Sequence, residues 1–122
     1  MRSGSKTLLA ALALAVLGTA HAAAYPDRPV KLIVPYPAGG STDTVGRAIG
    51  AKLGEQLGQS VVIENKAGAS GTIGAGLAAK SAPDGYTLLL AAGAHAVDEI
   101  IIPDLPYNLV RDFAPVSLVA KS

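Results

Sequence analysis

The chain has 122 residues and 12.2 kDa, with 50% hydrophobic and 16% charged residues, a formal net charge of +1 and no cysteine. This hydrophobicity and small charge exclude intrinsic disorder, the length allows one small domain at most, and no apolar run reaches the roughly 18 residues of a membrane span. Disulfides, thiolate nucleophiles and cysteine-based zinc sites are also excluded, so any chemistry must come from oxygen, imidazole or backbone groups.

Arg2 and Lys6 precede a run of Leu, Ala and Val over residues 8–17, and Ala20-His21-Ala22 places small residues where a signal peptidase reads them. This order predicts a secretory signal peptide over residues 1–22, cleaved after Ala22 or after Ala24, rather than a buried helix at the chain start. Its removal leaves eight basic and nine acidic residues, a net charge of −1, and His95 as the single histidine. No basic patch remains for a nucleic acid.

In the mature chain, Val30-Lys31-Leu32-Ile33-Val34 is mostly apolar and β-branched and ends at Pro35, as suits a strand covered on both faces of a parallel sheet. Over residues 43–57, Val45, Ile49, Leu53 and Leu57 recur every fourth residue, which predicts a helix with that stripe buried and Ala48 on the same side. Gly46, Gly50 and Gly54 weaken this helix by about 1 kcal/mol each, and their expected use is close approach to the sheet. Gly58 reads as the helix C-cap.

Residues 61–64 read as a second strand, 65–70 as a loop and 71–80 as a short Ala- and Gly-rich helix. A turn at Pro83-Asp84-Gly85 leads to a third strand over 86–90, so the order β-loop-α, β-loop-α, β predicts right-handed crossovers and a parallel sheet. Residues 91–112, with His95, Pro103, Pro106 and Tyr107, read as irregular, and 116–119 as the start of a fourth strand.

Two loops concentrate the chemistry. Pro37-Ala38-Gly39-Gly40-Ser41-Thr42-Asp43 joins the first strand to its helix, and Ala67-Gly68-Ala69-Ser70-Gly71-Thr72 joins the second strand to its own. Both fall at the carboxyl ends of neighbouring strands and at helix N-termini, where amides lack internal partners and the helix dipole favours anions. Glycines 39, 40, 68 and 71 bare the backbone, while Ser41, Ser70 and Thr72 add hydroxyl donors; the competing reading is two ordinary capped turns. Asp43 is expected to turn towards Arg47, four residues on, or to cap its own helix.

Enzyme signatures fail. The glycines at 68, 71, 74 and 76 do not fit G-x-G-x-x-G, and neither a phosphate-binding G-x-x-x-x-G-K-[ST] nor a nucleophile elbow G-x-S-x-G occurs. His95 reads as a loop histidine bonded to its neighbours rather than a catalytic base, and one histidine with scattered aspartates lacks metal-ligand spacing.

Tyr25-Pro26-Asp27-Arg28-Pro29, Ile33-Val34-Pro35-Tyr36-Pro37-Ala38-Gly39-Gly40 with Asp43, the stretch from Leu57-Gly58-Gln59 through Glu64-Asn65-Lys66-Ala67-Gly68-Ala69-Ser70-Gly71-Thr72-Ile73-Gly74, Pro83-Asp84-Gly85-Tyr86-Thr87-Leu88-Leu89, and Leu105-Pro106-Tyr107-Asn108 with Asp112-Phe113-Ala114-Pro115-Val116 together resemble the substrate-binding receptors of tripartite tricarboxylate transporters, the Bug family. The resemblance implies an α/β fold of the type II periplasmic-binding-protein kind, a parallel-sheet three-layer lobe, with residues 23–122 as the incomplete first part of lobe 1. It implies a periplasmic receptor that closes two lobes on a small carboxylate, partly through ordered water, and delivers it to membrane permease subunits. Carried over by position, Tyr36, Pro37, Ala38, Gly39, Ser41 and Asp43 line one wall of the site, and Ala69, Ser70, Gly71 and Thr72 the other. Ala94-His95-Ala96-Val97 resembles a family stretch whose following Asn-Pro is here Asp98-Glu99.

The expected function is therefore carboxylate binding without turnover, by a monomer, with no cofactor, metal or nucleic acid. The alternatives are a truncated non-functional fragment of such a receptor, or a secreted α/β hydrolytic enzyme using Ser41, Ser70 or His95.

Overall fold

The computed structural model describes residues 24–120, so the signal peptide expected over 1–22 lies outside the described residues. In chain order the elements are β1 (Val30–Val34), α1 (Ser41–Leu57), β2 (Val61–Asn65), a 3-10 turn (Ala69–Gly71) running into α2 (Thr72–Ala79), β3 (Thr87–Leu89), α3 (Gly93–Ile101) and α4 (Leu109–Asp112). The sheet order is β2-β1-β3, and both pairings are parallel.

β1 is the central strand, and Val30, Leu32, Ile33 and Val34 are all buried. Its apolarity on both faces is explained by the helices. Gly46 of α1 approaches Val34, whereas Gly74 of α2 approaches Pro35, one position along. Alternation along a strand sends these two residues to opposite faces, so α1 and α2 cover opposite sides of the sheet.

The face that α1 presents to the sheet differs from the aliphatic stripe. Gly46 and Gly50 are buried, while Val45 is 39% exposed. A Cβ on Gly46 would lie 2.9 Å from Val34 Cγ2, and one on Gly50 2.8 Å from Ile63 Cδ1. The glycines let the helix axis come close to the strands, so that even a methyl would press on Val34 or Ile63, and the aliphatic residues are left on its flank. Gly58 caps the helix in the left-handed conformation, its N–H donating to the Gly54 carbonyl at 3.0 Å.

Residues 91–112 are not irregular, since α3 and α4 lie within them. α3 is inverted in polarity: His95 and Asp98 are buried, and Val97, Ile100 and Ile101 are exposed. The strand expected over 116–119 is absent. Those residues find no partner strand among the described residues, and Val116 and Leu118 are exposed.

At the far end of the sheet, residues 25–28 clasp the turn before β3. The Tyr25 hydroxyl donates to Gly85 O at 2.6 Å, Tyr86 donates to Asp27 at 2.6 Å, and the Arg28 guanidinium lies 4.1 Å over the Tyr86 ring. This fixes where β1 enters the sheet, and so where it leaves towards the two loops.

Candidate functional site

β1 and β2 run side by side with Val34 opposite Asn65, so the loops that follow them leave the sheet from one edge. Lys66 N extends the ladder by one bond, donating to Val34 O at 2.9 Å. The loops also touch at their roots. A Cβ on Gly74 would lie 2.7 Å from Pro35 Cβ and 2.7 Å from Lys66 O, and one on Gly71 would lie 3.3 Å from Pro35 O.

The first loop is organised by Asp43, which is 2% exposed. Its Oδ2 accepts from Gly39 N at 2.8 Å and from Arg47 Nε at 2.9 Å, and its Oδ1 accepts from Asn65 Nδ2 at 2.9 Å. The hydrogen bond from Arg47, then those from Gly39 and Asn65, hold the Asp43 carboxyl at a pKa of about 2. Asp43 therefore turns towards Arg47 as expected, but it does not cap its helix. It reaches back instead and engages the Gly39 amide.

Asn65 is the residue that sequence reasoning missed. Its side-chain amide also donates to Tyr36 O at 3.1 Å, and its Oδ1 accepts from Arg47 at 3.3 Å. One side chain at the end of β2 thus joins the first loop to the first turn of α1. Its place as the last residue of β2, beside the Gly-rich loop, is the only sequence signal, and it does not reveal the partners.

The second loop is set by backbone conformation. Gly68, Ala69, Ser70 and Gly71 have φ of 131°, 46°, 57° and 96° in succession. For Ala69 and Ser70 the left-handed region costs roughly 1–2 kcal/mol each, which the surrounding contacts must offset. The coil closes on itself, with Gly71 N donating to Gly68 O at 2.9 Å and Thr72 N donating to Ala69 O.

These bonds narrow the set of amides open to a ligand. Those of Gly39, Gly71 and Thr72 are engaged within the chain, and that of Gly40 faces Pro37 O at 3.4 Å. Among the described residues, the amides of Ser41, Thr42 and Asp43 in the first turn of α1, and of Ala69 and Ser70 in the second loop, have no acceptor. Neither Gly40 nor Gly71, the N-caps of α1 and α2, offers a side chain to them.

Pro37, Ala38, Gly39, Ser41, Ala69 and Ser70 are exposed at this edge, Tyr36 is half-buried, and Asp43, Gly71 and Thr72 are buried. Of the nearby cations, Arg47 is held by Asp43, and Lys66 lies 3.6 Å from Glu64, whose closer partner is Lys31 at 2.9 Å. An anion at the helix starts would meet their N–H dipoles.

Beneath both loops lies His95. It is fully enclosed, and its Nδ1 sits 3.2 Å from Ala92 N and 3.1 Å from Ala92 O at the start of α3. It is a helix residue rather than a loop residue. Tyr36 packs edge-on against its ring, and burial, then the charge of Asp98, raises the pKa of the Tyr36 hydroxyl above its ordinary value. No group of three or more His, Cys, Asp or Glu able to hold a metal occurs among the described residues.

Residues 45–122 match the family model described as the tripartite tricarboxylate transporter family receptor. The chain belongs to this receptor family. Protein BugT of Bordetella pertussis is 50% identical over 97 residues, 78% of this chain and 30% of that protein. Among solved structures, MatC from Rhodopseudomonas palustris with bound malate is 44% identical with a TM-score of 0.74, over 78% of this chain and 33% of that one. The periplasmic binding protein BugD is 51% identical with a TM-score of 0.52, over 53% and 22%.

This tripartite tricarboxylate transporter receptor chain spans about a third of the length of the curated relatives it matches. Its described residues form an α/β unit of periplasmic-binding-protein type, with a three-stranded parallel sheet between helices.

Proposed function

We propose that this chain supplies one carboxylate-gripping wall of a periplasmic solute receptor. The amides of Ser41, Thr42 and Asp43 and those of Ala69 and Ser70 hold the anionic group. Tyr36, Pro37, Ala38 and Gly39 shape one side, and Gly71 and Thr72 the root of the other. The observation that carries this reading is the pair of helix-starting loops at adjoining strand ends, with open amides in both.

A carboxylate spreads its charge over two oxygens, and each can accept from one N–H array, so two converging arrays suit it. Membership of the receptor family and the 44%-identical relative solved with malate support a small organic acid as the class of ligand. Binding occurs without turnover. His95 is enclosed and engaged by the Ala92 backbone, so it is not placed to activate Ser41 or Ser70 as a hydrolase would require.

Residues 1–22 act as the secretory signal, the receptor works as a monomer in the periplasm, and its loaded form passes the acid to membrane permease subunits. The test is calorimetry on the full chain that its gene encodes, titrated with malate and with malamide, its uncharged diamide. Binding of malate with little affinity for the diamide is the expected result. Equal affinity for both, or none for malate or succinate, would sink the reading.

A second reading follows from the chain covering only about a third of its relatives. The 122-residue chain tested alone presents one wall, leaves a bound anion in contact with water, and so binds weakly or not at all. Micromolar affinity of this chain alone would contradict that, and lack of a cooperative melt would mark it as a non-functional fragment.

A further inference from the structure

We infer that His95 is the positioning residue that sets the two loops at a fixed distance from one another, acting by shape and without touching the ligand; this rests on the carboxylate reading above. Four contacts converge on its imidazole. One edge is held at the start of α3, where Nδ1 lies 3.2 Å from Ala92 N. The other edge lies directly under the second loop: a Cβ on Gly71 would fall 3.0 Å from Nε2 and 3.3 Å from Cε1. Tyr36, from the first loop, packs edge-on with ring centroids 5.8 Å apart and an interplanar angle of 79°. Tyr107 closes the remaining side at 6.1 Å.

A planar ring pinned at one edge has no freedom to follow one loop without displacing the other. The second loop needs such a support. Ala69 and Ser70 sit in left-handed conformations, and Gly71 is the only one of the three loop residues from 69 to 71 that is buried. The imidazole is 0% exposed, which removes it from direct ligand contact and from proton transfer with solvent. Its Nδ1 is used on the α3 backbone, its Nε2 lies buried beneath Gly71 without a hydrogen-bond partner among the described residues, and its bulk is used on the loops.

Removing the ring lets the loops sample other spacings, and if only a tenth of molecules then hold the binding-competent one, apparent affinity falls about tenfold. His95→Phe keeps a planar ring between Tyr36 and Gly71 but cannot accept the Ala92 N–H; His95→Leu keeps volume without planarity.

The experiment uses the full gene product. Malate affinity is measured by calorimetry for the unmodified protein and for His95→Ala, His95→Leu and His95→Phe. The ligand-free proteins are compared by 1H–15N NMR at the amides of residues 36–43 and 69–72. The expected result is an affinity loss of about tenfold or more in the Ala and Leu variants, with signals of both loops moving together, and return of both properties towards normal in the Phe variant. Should the Ala variant fail to fold, the Leu and Phe pair carries the same comparison.

Unchanged malate affinity in the Leu variant, or movement confined to one loop, overturns the inference. If the unmodified protein binds no malate while both loops still respond to His95, the carboxylate reading falls and the positioning role stands.

Discussion

Asn65 donates its side-chain amide to Asp43 at 2.9 Å and so ties the end of β2 to the first turn of α1, across the mouth of the sheet edge where both Gly-rich loops begin. The same amide donates to Tyr36 O, so two acceptors depend on one group. Asn65→Ala leaves both without that partner, at a cost of about 2 kcal/mol for part-buried groups. In a domain of this size that corresponds to a fall of roughly 10 °C in Tm. Thermal melts followed by circular dichroism check this; a melting temperature within experimental error of the unmodified chain would show that the bridge is dispensable. Asn65→Asp is expected to be worse at neutral pH, because it places a second carboxylate against Asp43.

The pH dependence of folding follows from the same hub. Hydrogen bonds from Arg47, Gly39 and Asn65 lower the Asp43 pKa from 3.8 to about 2. The native state then binds fewer protons than the unfolded chain, so stability is fully present above the unfolded value and is lost as the pH falls through the folded one. Urea midpoints are expected to hold from pH 7 to pH 4 and to drop between about pH 4 and pH 2. Glu64, held low by Lys31, adds to the drop in the same direction. Asp43→Asn is expected to flatten the curve over that window while lowering stability at pH 7; parallel curves for the two proteins would place the acid sensitivity elsewhere.

The order of strands and helices was readable because β1 and β2 are rich in β-branched residues, with Pro35 closing β1 and a Gly-rich loop following β2, and because a parallel β-α-β order has one common handedness. Which face of α1 packs was not readable from hydrophobic period. Four aliphatic residues at fourfold spacing imitate a buried stripe, yet a helix that must come close to a sheet buries the residues with no side chain, Gly46 and Gly50. α3 was hidden for the opposite reason: its buried positions are His95 and Asp98 and its exposed ones Val97, Ile100 and Ile101, so the usual polarity rule reads it inside out. In the site, the loops themselves stood out by glycine and serine content. The internal use of the Gly39 and Gly71 amides did not: their acceptors, Asp43 and Gly68, are near in sequence but are reached only through positive φ angles, and Asn65, which also holds Asp43, lies 22 residues from it.

The helix glycines differ in what a methyl group would meet, and the difference predicts opposite outcomes. At Gly74 the nearest atoms are Lys66 O, Pro35 Cβ and Pro35 Cα, at 2.7, 2.7 and 2.9 Å. Two of these are backbone and the third belongs to a rigid ring, so none can yield, and Gly74→Ala is expected to cost about 3 kcal/mol through overpacking. At Gly50 the nearest atom is Ile63 Cδ1 at 2.8 Å, the far end of a flexible side chain. Rotation of that group relieves the contact, and the gain of about 1 kcal/mol in helix propensity offsets the remainder. Chemical denaturation of both variants checks the contrast, and equal destabilisation would mean that the two helix–sheet contacts are alike in rigidity.

Gly39 and Gly71 both have positive φ, but they are not equivalent places to block the site. A side chain on Gly71 would meet His95 at 3.0 Å and disturb the packing beneath the loops, whereas one on Gly39 meets nothing within 4 Å. Gly39→Asn is therefore the cleaner probe, since asparagine tolerates the left-handed φ of 84° that Gly39 adopts. It is expected to leave Tm nearly unchanged and to lower malate affinity in the full gene product by about tenfold or more, a loss of at least roughly 1.4 kcal/mol, by placing bulk in the open space before the first loop. Gly39→Val should show the same loss with added strain of about 1–2 kcal/mol in the fold. Paired calorimetry and melting curves separate the two effects. Full affinity in the asparagine variant would move the ligand away from the mouth of this loop and leave the second loop as the only candidate wall.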